Sequence, residues 1–460
     1  MTQHSPSGSA KPSFPSSFWT ANGTELFERA AYYAMASFVV LYLGQLGFGR
    51  YWPSFLNGSV LWFLVYALPI VSGSLADQYG FKKSLLVAFV LLAIAYFCMG
   101  YPVWFGGARL LDTVSSEVTV GWRTAVPIVL GVVMIGMGAS IVKPCIAGTV
   151  QKTAGLRKTL GFAIFYMIIN VGSLVGRGVA FYFRRRFDLS AIFAVSMGAA
   201  VVAFFVVLVV YRDPDEQMGN FEKKPARPIG EILAGMFRVL RNPRFAMFLL
   251  VSSGFYFIYN QVYNLLPLYV KRTVESTPAM DIYTMANPFV IVSCQLLITW
   301  AFGKLPPIKS IVIGTVIIGF AMLINLAPLY MAGGVGLRVM DLLPLGSLFI
   351  VLTVALIAFG ELFAAARLYE YIGSLAPKGQ EGVFLGYANL PMAVGAMVGG
   401  PAGAYLFNAV MCRGAQTLPN GLLKLDPAAA TLGWVILTVI GLASAASMYA
   451  YNAWLKRQTA

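Results

Sequence analysis

The sequence predicts an all-α integral membrane protein with about 12 transmembrane helices arranged as two six-helix bundles. The chain of 460 residues is 58% hydrophobic and only 11% charged, with a mean hydropathy of +0.75. An average globular domain is instead about half apolar and about a quarter charged. Apolar runs of about 20 residues, long enough to cross a bilayer, recur along the whole chain. A polar segment at residues 212–244 divides these runs into two sets.

The elements follow in chain order. Residues 1–17 are rich in serine and proline and have no apolar core of the kind found in signal peptides, so we expect a disordered cytoplasmic tail. An N-terminal six-helix bundle is predicted over residues 18–211 and a C-terminal six-helix bundle over 245–456. The twelve spans are expected near 18–46, 52–76, 84–105, 124–150, 159–183, 188–211, 245–270, 281–303, 309–332, 342–374, 382–411 and 428–455.

The cytoplasmic linker between the bundles, residues 212–244, is the longest charged stretch of the chain. Its segment "IGEILAGMFRVL" (229–240) has the pattern of a short amphipathic helix at a membrane surface. Of the 33 Lys and Arg residues, 18 fall on the side that also holds the N-terminus and 11 on the other. Because positively charged loops stay in the cytoplasm, we expect a multi-pass protein of the cell (inner) membrane with both termini cytoplasmic. The cluster 184–186 opposes this orientation.

Several functional classes are excluded by composition. The net charge of +15 is spread over short loops, so it does not form a nucleic-acid-binding surface. The cysteines have no metal-ligand spacing, and the only histidine lies in the N-terminal tail. We therefore predict no metal site and no cofactor, and no constellation of nucleophile and base that would make an enzyme. The residues concerned are Cys98, Cys145, Cys294, Cys412 and His4.

Eight ionisable residues nevertheless lie inside the predicted spans. Each costs about 2.5–3.5 kcal/mol at the centre of a bilayer, so they must face one another or a water-filled cavity. Four are acidic and four basic, which allows their charges to cancel. They are Glu25, Glu28, Arg29, Lys143, Arg177, Glu361, Arg367 and Glu370.

Five polar residues in "ELFERAAYY" (25–33) are spaced by three and four, so they share one face of the first helix. They are Glu25, Glu28, Arg29, Tyr32 and Tyr33. Lys143 precedes Pro144, which frees a carbonyl group in mid-helix and permits a bend. Structural ion pairs, in which the two acids neutralise Arg29 and Lys143, are the alternative interpretation. Arg367 and Glu370 are expected to form a local pair near the cytoplasm.

Sequence motifs add a resemblance to known transporters. "GSLADQYGFKKS" (73–84) matches the loop motif of the major facilitator superfamily, in which Asp77 can cap a neighbouring helix. "ELFERAAYY" and "FYMIINVGSL" (165–174) resemble the first- and fifth-span signatures of the proton-dependent oligopeptide transporters of that superfamily. "LVYALPIVSGSLAD" (64–77), "IVKPCIAG" (141–148), "ANPFVIV" (286–292) and "GELFAAARLYEYIGSLAP" (360–377) are similar to its second, fourth, eighth and tenth spans.

The resemblance implies a monomeric symporter that moves protons and small peptides across the lipid bilayer by alternating access. First-half bases would bind the peptide carboxylate, and Glu361 in the second half would bind the amino end. The implied peptide-site residues are Arg29, Tyr32, Tyr33, Tyr66, Lys143, Asn170, Asn287 and Glu361. The implied proton-coupling residues are Glu25, Glu28, Arg29 and Lys143.

The sequence also departs from that family. Asn260 stands where the seventh span often carries an acid, and we keep it as a candidate substrate-binding residue. Ala365 and Ala388 replace an expected serine and tryptophan, and Arg177 is an additional base. These departures keep a second function open, in which the same fold carries an organic or inorganic anion or a peptide-like metabolite. Tyr66 could instead pack as an ordinary aromatic residue, and Asn170 or Asn287 could bond a neighbouring helix.

Overall fold

The computed structural model describes residues 14–154, 157–217, 228–340, 342–375 and 387–459. Within these ranges it contains eleven helices long and apolar enough to cross a membrane and one bent pair of helices that together pass the same test. The predicted fold class is confirmed. The spans are Ser16–Ala36 with Val39–Gln45, Trp52–Tyr79, Phe81–Trp104, Trp122–Thr153, Lys158–Arg186, Ala191–Val209, Pro243–Val274, Met280–Phe302, Pro307–Tyr330, Leu345–Leu375, Leu390–Met411 and Pro427–Thr459.

Successive spans run in opposite directions, so the loops lie on two sides of the protein. We call the side with the linker 212–244 the linker face and the opposite side the far face. On the far face, two short antiparallel hairpins join the ninth span to the tenth and the eleventh to the twelfth. They pair Arg338–Val339 with Leu343–Pro344 and Gln416–Thr417 with Leu423–Lys424. These strands are too short to be predicted from the sequence.

The ends of the bundles differ slightly from the predicted bounds. The first helix begins at Ser16, inside the predicted tail, whose residues 1–13 lie outside the described ranges. In the linker, the helix Ile229–Leu240 has the bounds of the predicted amphipathic segment, and residues 218–227 are not described. The Asn242 side chain accepts hydrogen bonds from the backbone N–H groups of Arg244 and Phe245 and starts the seventh span. Residues 382–386, predicted to begin the eleventh span, are also outside the described ranges.

The helix cap at the second loop is supplied by a residue that the sequence did not indicate. Asp213, just after the sixth span, accepts hydrogen bonds from the backbone N–H groups of Phe81 (2.8 Å) and Lys82 (3.3 Å). A carboxylate at a helix N-terminus satisfies free N–H groups and complements the helix dipole. This cap holds the third span against the end of the sixth. Asp77, which the loop motif suggested for a capping role, does not occupy this N-terminus.

Close helix contacts use glycine. A Cβ atom on Gly176 of the fifth span would lie 2.2 Å from the carbonyl oxygen of Ala30 in the first span. A Cβ on Gly400 of the eleventh span would lie 2.4 Å from the carbonyl oxygen of Ser54 in the second. Side chains larger than hydrogen cannot fit at such backbone approaches. The first contact holds the N-terminal bundle together, and the second joins the two bundles near the far face.

The proline in the fourth span does not break the helix, which continues from Trp122 to Thr153. Pro144 lacks the N–H group that would bond the carbonyl oxygen of Ser140, four residues earlier. Ser72 of the second span donates a hydrogen bond of 2.7 Å to that oxygen. The neighbouring helix therefore satisfies the group that the proline frees, next to Lys143.

Three irregularities place polar groups in the membrane interior. The first span bends by 46° between Ala36 and Val39. Wide π-helical turns occupy Phe55–Trp62 of the second span, and a tight 3₁₀ turn occupies Asn260–Tyr263 of the seventh. Such turns are common at functional positions of helices. All three lie where the N-terminal and C-terminal bundles meet.

Candidate functional site

The first span carries a buried cluster of charges. Arg29 Nε lies 3.3 Å from Glu25 Oε1 and is also hydrogen-bonded to Glu28 Oε2. The side chains of both acids are fully buried, and that of Arg29 is 6% exposed. The spacing by three and four in the helix brings the groups together, as the sequence predicts. Two carboxylates thus share one guanidinium, which leaves one negative charge to be neutralised.

Lys143 approaches this cluster from the fourth span. Its ammonium nitrogen lies 5.7 Å from the centre of the Tyr66 ring, and it interacts electrostatically with Glu25 and Glu28. In the described ranges no carboxylate lies within the 4.0 Å of an ion pair with Lys143. Both acids are closer to Arg29. Lys143 is consequently the base of the cluster that is available to an anion entering from the centre.

Tyrosines surround the charged cluster. The guanidinium carbon of Arg29 lies 5.3 Å from the centre of the Tyr32 ring, and the Tyr32 hydroxyl is buried with no hydrogen-bond partner. The Tyr33 ring packs edge-on against Tyr32, with 5.4 Å between ring centres, and lies 4.6 Å from the guanidinium carbon of Arg177. Tyr66 is 8% exposed and packs 5.5 Å from Trp62, so it touches both an aromatic wall and Lys143. The packing alternative for Tyr66 therefore describes only part of its surroundings.

The second half contributes one partly exposed acid. Asn287 Nδ2 of the eighth span donates a hydrogen bond of 2.9 Å to Glu361 Oε2 of the tenth. The amide holds the carboxylate and leaves its other oxygen available to a donor. This is an interhelical bond of the kind that the alternative interpretation of Asn287 described. Both residues of the pair are nevertheless partly exposed, as a binding role requires.

Two other candidate asparagines make different contacts. Asn170 Nδ2 donates to the carbonyl oxygen of Tyr166 one turn earlier in its own helix, at 2.9 Å. Asn260 belongs to a set of three side chains that we call the amide chain. In it, Asn57 Nδ2 donates to Asn264 Oδ1 (3.3 Å), and Asn264 Nδ2 donates to Asn260 Oδ1 (2.6 Å). The amide chain joins the second span to the seventh, and Asn260 is 1% exposed.

Arg367 and Glu370 form the local pair that their spacing predicts. Arg367 Nη1 lies 2.6 Å from Glu370 Oε2, and Nη2 donates to the carbonyl oxygen of Gly303. The Glu370 side chain is 53% exposed. The pair lies toward the linker face, away from the cluster on the first span.

Arg177 is placed between the two halves. Its guanidinium lies 4.6 Å from the centre of the Tyr33 ring and donates to Thr284 Oγ1 (2.9 Å) and to Tyr263 Oη (3.1 Å). The sequence pattern identified Arg177 as a buried base without indicating these partners. For Tyr263, the spacing of four from Tyr259 within a polar run of the seventh span is the signal that could have indicated a functional face.

An aromatic wall that the sequence does not indicate also borders the site. Trp62 of the second span packs against Tyr263 (5.0 Å between ring centres) and Tyr259 (6.4 Å) of the seventh. Its indole N–H is buried with no hydrogen-bond partner. Aromatic side chains of this kind form shape-selective walls of ligand sites. Trp62 thus connects Tyr66 of its own span with the tyrosines of the seventh span.

Metal ligands and a second cavity are the remaining features to consider. In the described ranges no group of three or more His, Cys, Asp or Glu side chains could hold a metal ion. An apolar groove of about 560 Å³ lies at the far ends of the second and eleventh spans, lined by Tyr51, Trp52, Phe55, Pro401 and Tyr405. It offers no charged group, so the candidate site is the charged centre rather than this groove.

Residues 67–400 match the family model described as Major Facilitator Superfamily. The chain belongs to the major facilitator superfamily. Its members are membrane transporters, so the prediction of a multi-pass transporter rather than an enzyme is confirmed. The matched segment begins just after Tyr66 and ends at Gly400, and it contains both Lys143 and Glu361 of the candidate site.

Similar proteins within the superfamily carry two kinds of name. Dipeptide and tripeptide permease B of Shigella dysenteriae is 23% identical over 505 aligned positions, covering 97% of this chain and 96% of that protein. Multidrug resistance protein MdtH of Aeromonas hydrophila is 22% identical and covers 81% of this chain and 80% of that protein. A crystal structure of a peptide transporter, POT, in complex with sulfate superposes with a TM-score of 0.73 at 17% identity, covering 96% and 95% of the two chains. The predicted resemblance to the proton-dependent oligopeptide transporters is confirmed.

Proposed function

We propose that this superfamily member is a proton-coupled symporter of di- and tripeptides that works by alternating access. One observation carries the proposal. The available cation of the first half, Lys143, and the partly exposed acid of the second half, Glu361, lie in opposite bundles around a centre lined by tyrosines. A free peptide carries a carboxylate at one end and an ammonium at the other, so both of its ends can meet an opposite charge.

The contacts refine the expected pose. Arg29 is already shared by Glu25 and Glu28, whereas Lys143 has no carboxylate within ion-pair distance in the described ranges. We therefore assign the peptide carboxylate to Lys143. Arg29 lies nearby and adds positive charge to that end of the site. The ammonium is assigned to Glu361, which Asn287 orients. Tyr66 and Tyr33 supply surface on which the peptide backbone and side chains can pack.

Proton coupling is assigned to the cluster on the first span. Two buried carboxylates on one guanidinium favour the uptake of one proton, because one negative charge is otherwise left without a partner. Glu25 has two carboxylate oxygens and Glu28 has one with no hydrogen-bond donor. A substrate anion that draws Lys143 away would make protonation of the acids more favourable still.

The orientation follows from the distribution of basic residues. The linker face holds the larger share of Lys and Arg, so we assign it to the cytoplasm and the far face to the outside. The protein then lies in the cell membrane with cytoplasmic termini. The hydrogen bonds that join the halves at Arg177 and in the amide chain lie toward the far face. The conformation is thus closed to the outside, a state that alternating access requires in every cycle.

A second candidate function is supported by the relative named for multidrug resistance and by Arg177. In this case the same fold carries an organic or inorganic anion or a peptide-like metabolite. The family likeness at 22–23% identity leaves room for such a change of cargo. The additional buried base and Asn260 in place of an acid both make the charge of the interior less negative. The interior of a peptide transporter that follows the family pattern would be more negative.

A thermal-shift experiment separates the two candidates. A ligand that binds the native protein and not the unfolded chain raises its Tm, and the rise grows with the ratio of ligand concentration to Kd. Purified protein is mixed with dialanine, with C-amidated dialanine, with N-acetylated dialanine, and with nitrate or lactate. Stabilisation by free dialanine alone supports peptide transport. Stabilisation by nitrate or lactate, with none by dialanine, would reject peptide transport in favour of the second candidate.

A further inference from the structure

Arg177 is a fully buried cation at the junction of the two bundles. It is 0% exposed, and its donors are directed to oxygen atoms of three side chains. Nε donates to Thr284 Oγ1 at 2.9 Å, and Nη2 donates to Tyr263 Oη at 3.1 Å. Nη1 donates to the hydroxyl and the carbonyl oxygen of Ser173 in its own helix. Thr284 and Tyr263 belong to the C-terminal bundle, so this one side chain joins both halves.

The partners of Arg177 are all neutral. In the described ranges no carboxylate lies within 4.0 Å of its guanidinium. The acid nearest to Thr284 in sequence, Asp281, is paired with Arg184, whose Nε and Nη2 lie 3.2 and 3.3 Å from its two carboxylate oxygens. Two arginines of the fifth span thus meet the same short stretch of the eighth, but only Arg184 is neutralised by an acid.

Two opposing effects result. The hydrogen bonds of Arg177 to Thr284 and Tyr263 exist only while the halves touch at the far face, so they favour closure. Burial of a charge without a counter-ion is costly, and water can reach the guanidinium once the halves separate there. The charge therefore favours opening. The cost of burying an ion without a counter-ion exceeds what neutral hydrogen-bond partners return, so the charge is the larger of the two effects.

We propose that Arg177 sets the balance between the far-closed and far-open conformations, with its hydroxyl partners stabilising closure and its unneutralised charge opposing it. Arg177 is a positioning residue, since it touches Tyr33 of the candidate site but is itself closed off from the centre. The inference rests on the alternating access of the proposed function. It does not depend on the cargo, because the balance exists without any ligand.

The opposing signs give a sharp test. Thr284→Val removes one hydroxyl partner, keeps the side-chain volume and leaves the charge buried, so it should favour the far-open state. Arg177→Met removes the charge and keeps a long apolar side chain, so it should favour the far-closed state. Thr284→Ser retains the hydroxyl and should behave as the wild type. Arg185→Met is the matched control, because Arg185 lies on the same helix and is exposed.

Distances between spin labels measure the two states in the ligand-free protein, in nanodiscs, after the four native cysteines are replaced by serine. One label pair, Trp122→Cys with Leu342→Cys, spans the far face. A second pair, Lys83→Cys with Lys304→Cys, spans the linker face. Thr284→Val loses the charged hydrogen bond from Arg177 and also the bond of Thr284 Oγ1 to Ser37 Oγ of the first span (2.8 Å), so the ratio of far-open to far-closed molecules should rise at least tenfold. Ser37→Ala removes only the second bond and should raise the ratio less. Arg177→Met should lower that ratio, and Arg185→Met should leave it unchanged.

The proposal is overturned if Thr284→Val and Arg177→Met shift the far-face distances in the same direction. It is also overturned if Thr284→Val and Thr284→Ser give the same distances. If Arg177→Met cannot be purified, Arg177→Gln removes the charge with a smaller change in polarity, and the comparison of the two Thr284 variants decides by itself. A protein with only one distance population in every variant would reject alternating access. Two populations without binding of dialanine would reject only the peptide cargo.

Discussion

Ser72 donates a hydrogen bond of 2.7 Å to the carbonyl oxygen of Ser140, the acceptor that Pro144 leaves without its helical partner. The bond joins the second and fourth spans three residues before Lys143, the cation proposed to bind the substrate carboxylate. A hydroxyl on a neighbouring helix thus satisfies the carbonyl oxygen that a proline frees inside a transmembrane helix. This contact gives a direct prediction about stability.

Ser72→Ala should destabilise the protein by about 1–3 kcal/mol, because it leaves a buried carbonyl oxygen without a donor. Ser74→Ala is the matched control, since the Ser74 hydroxyl bonds only Ile70 of its own helix. Thermal unfolding in one detergent measures both. A Tm of Ser72→Ala equal to that of Ser74→Ala would mean that the bond contributes nothing to stability.

Gly176→Ala should also destabilise the protein, by about 1–3 kcal/mol, because the added methyl group would meet the Ala30 carbonyl oxygen and push the fifth span off the first. Gly178 lies one half-turn away and has no atom within 4 Å of a built Cβ. Gly178→Ala should therefore be neutral or slightly stabilising, since alanine favours a helix by about 1 kcal/mol over glycine. Thermal unfolding and the yield of monodisperse protein are the measurements. Equal losses for both variants would contradict the close approach.

Glu28→Gln should abolish accumulation of peptide driven by an inward proton gradient and leave counterflow of peptide intact. The variant removes one of the two carboxylates that share Arg29, so the cluster no longer has a charge to neutralise with a proton. Uptake of labelled dialanine into proteoliposomes, with and without a pH gradient, measures both activities. Glu370→Gln, in the exposed pair with Arg367, should behave as the wild type. Gradient-driven accumulation by the double variant Glu25→Gln/Glu28→Gln would place the proton carriers elsewhere.

Lys143→Ala should weaken the binding of free dialanine at least tenfold, because the loss of a buried charge partner costs about 2–5 kcal/mol. C-amidated dialanine lacks the carboxylate, so its weak binding should be nearly the same in Lys143→Ala and in the wild type. Competition against a labelled dipeptide gives the affinities. If Lys143→Ala weakens the free and the amidated peptide equally, the carboxylate does not lie at Lys143.

Glu361→Gln should weaken free dialanine by a similar factor and narrow its advantage over N-acetylated dialanine, which has no ammonium group. Asn287→Ala should have a smaller effect in the same direction, since Asn287 only orients Glu361 through a neutral hydrogen bond. The same competition assay is used. A full advantage of free over acetylated dialanine in Glu361→Gln would show that the amino end lies at another group.

Much of the architecture can be predicted from local sequence. Hydropathy gives the spans because crossing a bilayer needs about 20 apolar residues in one run. The ionic face of the first span can be predicted because its groups are neighbours on one helix. The partners of Arg177 and the cap of the third span cannot, because Thr284, Tyr263 and Asp213 are far away in sequence. The 46° bend and the far-face hairpins depend on packing between helices and on short loops, which have no strong sequence period.

The amide chain has a consequence for how the transporter senses its surroundings. An asparagine side chain is the same chemical species in acidic and in neutral water, so the contact of Asn57, Asn264 and Asn260 has the same strength at either pH. The mouth of the protein on the far face therefore carries no acidity sensor along this line of contact. The pair of Arg184 with Asp281, which also joins the halves at that face, contains a carboxylate and is a contact that protonation can weaken.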